Sequence, residues 1–133
     1  MNESEKITIN LGIVELAQID VLVEQGLYSN RSDFIRTATR KLLEDNQNRF
    51  DNLLEAKGVI GFARVIGISH YSKKDLELLV QAGKKLDLFI IGKVIFDYNI
   101  EPELFKKAVK RVTVYGKIDA SNEIIAILNE DND

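Results

Sequence analysis

Lys6, Thr8 and Asn10 stand two residues apart, and they carry an amine, a hydroxyl and an amide. Groups of these kinds donate to or accept from the edges of base pairs in the major groove of DNA. Ile7, Ile9 and Leu11 fill the alternate positions. A period of two is that of a β-strand, so the polar residues share one face and the apolar residues the other. A lone strand this short is unstable in water, and no second strand pattern lies close to it in sequence. The simplest partner is the same strand of a second copy. Two such strands make an antiparallel ribbon of a width that the major groove admits.

Two helical patterns follow that can hold this strand. The first is predicted from Val14 to Gln25 and ends at Gly26, because glycine takes the left-handed cap cheaply. Its core side is either Val14, Ala17, Val21 and Leu22 or Ile13, Leu16 and Val23, both sets at three-and-four spacing. Ser29 is expected to cap the second helix, with Ser32 and Asp33 in its first turn, where the helix dipole favours side-chain oxygens. Phe34, Ile35, Ala38, Leu42 and Leu43 form its apolar stripe. Arg36, Arg40 and Lys41 fall on a solvated face, with Arg36 in reach of Asp33 at three-residue spacing.

The strand Lys6 to Leu11, the helix, Gly26 and the restart Tyr28-Ser29-Asn30-Arg31-Ser32-Asp33-Phe34-Ile35-Arg36 resemble the ribbon-helix-helix superfamily of MetJ, Arc and CopG. The resemblance covers roughly residues 5–44, about a third of the chain. It implies a sequence-specific DNA-binding transcriptional regulator that acts as a homodimer on double-stranded DNA. Carried across residue by residue, it makes Lys6, Thr8 and Asn10 the base-contacting residues. It makes Ser29, Asn30 and Arg31, at the start of the second helix, the phosphate-contacting ones. A unit of about 40 residues is also near the size below which a single chain rarely holds a core, so dimerisation is expected on physical grounds as well.

Charge does not make this chain a general attractor of nucleic acid. Residues 1–57 hold seven Lys or Arg against ten Asp or Glu, a net −3, and the whole chain is also −3. A groove reader needs positive charge only where phosphate lies, so modest non-specific affinity is expected. The chain has no cysteine, which excludes a disulfide framework and thiolate metal sites. His70 is the one histidine; it reads as a surface residue at a strand end, and no metal site is expected. Asp97, Glu101 and Glu103 around Pro102 have the ordinary look of a helix N-terminus, and no phosphate-cradling glycine motif or nucleophile elbow is present. Neither catalysis nor a cofactor is expected. The stretch Asn2-Glu3-Ser4-Glu5 is acidic and polar, unlike a secretory leader, and no apolar run approaches the ~18 residues of a membrane span, so a cytoplasmic location without membrane contact is expected.

With 133 residues, 45% hydrophobic and 29% charged, there is room for two small domains in an α+β protein. The first is expected over 1–48, a helical linker over 49–57 ending at Gly58, and a second domain with an acidic tail over 58–133. The polar run Glu44 to Arg49 is either a solvated helical bridge or a break. In the second domain, Gly67, Gly92 and Gly116 recur 25 and 24 residues apart in apolar runs, each followed by an acid-plus-apolar pair: Asp75-Leu76, Glu103-Leu104, Glu123-Ile124. A strand-helix unit of about 25 residues predicts stacked β/α repeats with parallel strands, in which the three glycines are equivalent. The alternative makes Gly92-Lys93 a hairpin turn between Leu88–Ile91 and Val94–Tyr98, giving a ferredoxin-like or ACT-like βαββαβ sandwich. The second domain serves either oligomerisation beyond a dimer or the binding of an effector. Two rival roles use the same DNA-binding unit: an antitoxin, or a plasmid-partition protein, each recruiting a protein partner through the second domain.

Overall fold

The computed structural model describes residues 4–56 and 62–130, with side chains described over 4–53 and 66–130. The chain divides into two compact units between Phe50 and Asp51.

In the first unit, residues 4–12 belong to no helix or strand of the single chain, and helices α1 (Ile13–Glu24) and α2 (Arg31–Asp45) follow. The end of α1 is built by Gly26, whose φ of 80° lets its N–H reach the carbonyl of Val23 at 3.0 Å while that of Leu27 reaches Leu22 at 3.1 Å. These paired bonds satisfy carbonyls that the helix itself leaves open. The cap of α2 is Asn30 and not Ser29: the Asn30 side-chain oxygen accepts from the Asp33 N–H at 2.8 Å. Asp33 then turns its carboxylate back to the Ser29 N–H at 2.9 Å, which takes it away from the expected pairing with Arg36. The polar run breaks the helix, since α2 caps at Asn46 and α3 (Gln47–Ala56) restarts directly after it. The stop expected at Gly58 lies outside the described residues.

The core side of α1 is neither expected stripe. Among the described residues of this unit Ile19 alone is buried, with Leu16, Leu22 and Val23 half-buried, while Ile13, Val14 and Val21 face solvent. On α2, Phe34, Ile35 and Ala38 are half-buried, with Phe34 edge-on to Tyr28, but Leu42 and Leu43 are exposed.

The second unit runs β1 (Phe62–Tyr71), α4 (Lys73–Gln81), β2 (Leu86–Phe96), α5 (Pro102–Ala108), β3 (Val109–Asp119) and α6 (Asn122–Glu130). The three strands form one sheet in the order β1-β2-β3, and both pairings are parallel. Parallel neighbours need a crossover, and α4 and α5 supply the two crossovers. Leu88, Ile90, Val94 and Phe96, alternate residues of β2, share a core with Leu76 of α4, Phe105 of α5 and Ile124 of α6. The hairpin reading, and with it the ferredoxin-like or ACT-like sandwich, is overturned: Leu86 to Phe96 is one strand, with Gly92 inside it and parallel neighbours on both sides. Gly67, Gly92 and Gly116 stand side by side in register, with φ of 141°, 141° and 137°. The pairing of both ladders continues through this row.

Each of the acid-plus-apolar pairs lies in a first helical turn. In α4 the start is a full capping box, Ser72 accepting from the Asp75 N–H at 3.1 Å and Asp75 from the Ser72 N–H at 2.8 Å. Ser72→Ala is expected to cost about 1 kcal/mol of stability, measured by urea unfolding. Helix α6 extends to Glu130, and the last three residues of the acidic tail lie outside the described ones.

Candidate nucleic-acid interface

Lys6, Thr8 and Asn10 are all exposed, on the segment just ahead of α1. The apolar residues between them are exposed too, Ile7 at 77% and Ile9 at 52%. Ile9 and Leu11 line an open apolar cleft of about 410 Å³ together with Ile19, Leu22, Phe34 and Ile35. Ile9 and Leu11 thus border the interior of the two-helix unit.

A second groove, about 600 Å³, lies between this segment and α2, and gathers Lys6, Ser32, Arg36 and Arg40. The two arginines are one helical turn apart, which places them on one face. They are cations that the sequence assigns only to a solvated helix face, and their four-residue spacing is the signal that could have joined them to Lys6.

The three residues at the start of α2 are exposed and adjacent, but they do different things. Ser29 gives its N–H to Asp33. Asn30 spends its amide oxygen on the cap, and an asparagine used in this way keeps its NH₂ as a donor. Arg31 is gripped by Asp20 of α1 through two bonds, Nε to Oδ1 and Nη2 to Oδ2, each 2.8 Å. The Arg31 hydrogen bond, reinforced by its charge, holds the Asp20 carboxyl below the usual range, and Asp20 in turn raises Arg31, so the pair is ionised at neutral pH. Asp20 lies eleven residues from Arg31, too far for any local pattern to announce it.

His70 lies on β1, exposed, with its Nε2 against the carboxylate of Asp97. Among the described residues no group of three or more His, Asp or Glu stands close enough to hold a metal ion, and no described helix is long and apolar enough to cross a membrane.

An exposed arm of alternating polar and apolar residues precedes two short helices, and a separate β/α unit follows. The sequence matches the ribbon-helix-helix transcriptional regulator family over residues 2–125, and the chain belongs to that family. The match takes in both units, well beyond the third of the chain that carries the motif resemblance. No curated protein and no solved structure matches the chain.

Proposed function

We propose that this transcriptional regulator binds a specific operator as a homodimer, pairing two copies of the Lys6–Leu11 segment into a ribbon that enters the major groove. Lys6, Thr8 and Asn10 contact base edges, and Ser29, Asn30 and Arg31 fix the ribbon to the phosphate backbone. The carrying observation is the segment itself: exposed polar residues at Lys6, Thr8 and Asn10, with Ile9 and Leu11 at the rim of an apolar cleft, in a unit whose described residues include one buried apolar side chain. That unit cannot offset the entropy of ordering its chain by itself. A second copy laying its own Ile7, Ile9 and Leu11 into the cleft supplies the missing core. The first unit, 1–48, with its linker 49–57, is the DNA-binding part, and 58–133 serves oligomerisation or effector binding. An antitoxin tail orders only on its toxin, whereas the second unit has a core of its own around Leu88, Ile90 and Phe96, which favours the regulator.

Selection of bound fragments from random duplex DNA tests this reading. The expected product is a palindromic consensus whose half-sites mirror the two-fold of the dimer. Thr8→Ala and Asn10→Ala should each weaken binding to that consensus by about 1–3 kcal/mol and leave affinity for scrambled DNA nearly unchanged, as loss of a base-edge contact does. Equal discrimination in wild type and both variants removes these residues from the reading face.

A further inference from the structure

Arg31 is the one cation at the start of α2, and its charge is already answered. Asp20 occupies Nε and Nη2 in a fork-to-fork pair, and both side chains are about half exposed, 55% and 48%. A guanidinium has five N–H groups, and two are spent here. The rest, on Nη1 and the outer side of Nη2, remain on the edge turned away from the carboxylate. A phosphate can be held bidentately on that edge. Toward DNA, however, the pair as a whole is neutral.

Neutrality changes what the contact does. Non-specific affinity comes from the counterions released when positive charge neutralises phosphate. An arginine whose charge is cancelled adds directional hydrogen bonds, and these form only where the phosphate sits in the right place. It adds little attraction to duplexes of other sequence. The net −3 of residues 1–57 points the same way.

We propose that Asp20 is a positioning and specificity-determining residue: it aims the Arg31 guanidinium at one backbone phosphate and cancels its charge, so that this contact supports docking in register without raising affinity for DNA of any sequence. The proposal rests on Arg31 facing a phosphate, as in the function proposed above.

The test measures binding of the full chain to a consensus duplex and to a scrambled one over a range of salt, for wild type, Asp20→Asn, Asp20→Glu, Arg31→Ala and the double variant D20N/R31A. Asp20→Asn is expected to steepen the salt slope by about 0.9 per subunit, to raise affinity for scrambled DNA roughly eightfold per subunit near 0.1 M salt, and to lower discrimination. Asp20→Glu keeps the charge and should keep the wild-type slope, which a brace of exact length would not predict. Arg31→Ala leaves the Asp20 carboxylate uncompensated, so it should weaken both duplexes and flatten the slope. The double variant should return to the wild-type slope with consensus binding still weakened. If D20N alone does not fold, the double variant decides, because its slope would be shallower than wild type by about 0.9 per subunit if the Arg31 charge counted in full. An unchanged slope in folded D20N, with R31A impaired, overturns the role of Asp20 alone. No effect of R31A on either duplex overturns the phosphate contact itself.

Discussion

Gly92→Ala and Gly116→Ala are expected to unfold the second unit, and Gly67→Ala to weaken it much less. A Cβ at Gly92 would lie 2.0 Å from the carbonyl oxygen of Gly67, and one at Gly116 would lie 1.8 Å from that of Gly92. Both obstacles are backbone atoms in a paired ladder, which cannot turn aside as a side chain can. At Gly67 a Cβ meets nothing within 4 Å. All three share a positive φ that side chains disfavour, at a cost of about 1–3 kcal/mol each. Only Gly92 and Gly116 add a collision, and overpacking of this kind costs about 1–3 kcal/mol or more in addition. The sum at Gly92 or Gly116 is a large part of the ~5–15 kcal/mol that holds a small domain together. Urea unfolding of the three variants checks this, and equal losses at all three would contradict the stacked row. Spacing alone makes the three glycines equivalent; a Cβ at each would point toward the strand before it in the sheet, and in the order β1-β2-β3 only β1 has none there.

The second large effect is expected from Ile9→Asp. If two copies of the first unit share one core, Ile9 lies inside it, and a carboxylate there must be desolvated without a partner, at a cost of several kcal/mol. The variant should sediment as a monomer, lose the helical signal of α1 and α2, and bind neither consensus nor scrambled DNA. In wild type the melting of this unit should shift upward with protein concentration, as coupled folding and association require. A variant that stays dimeric and folded would place Ile9 on the solvent side of the unit and would take away the two-sided segment on which the ribbon rests.

Local chemistry made much of this protein legible in its sequence. Gly26 ends α1 through a left-handed cap that needs only its own neighbours, and each acid-plus-apolar pair sits in a first turn, because caps are decided within four residues. The restart of α2 is misread by one position, as Ser29 and Asn30 are both good caps and only the direction of the chain decides between them. The recurrence of Gly67, Gly92 and Gly116 predicts parallel strands, and they stand in register. Whether the second run was one strand or a hairpin depended on neighbours up to 25 residues away, which a run of Leu88 to Phe96 does not record. The same holds for the site. Alternation singles out Lys6, Thr8 and Asn10 as one face of a strand, a strand that the single chain does not form over residues 4–12. The burial of Ile19, the gathering of Lys6 with Arg36 and Arg40, and the grip of Asp20 on Arg31 arise from the packing of helix on helix and arm on helix. Those contacts join residues distant in the chain, and no periodicity or capping rule reaches that far.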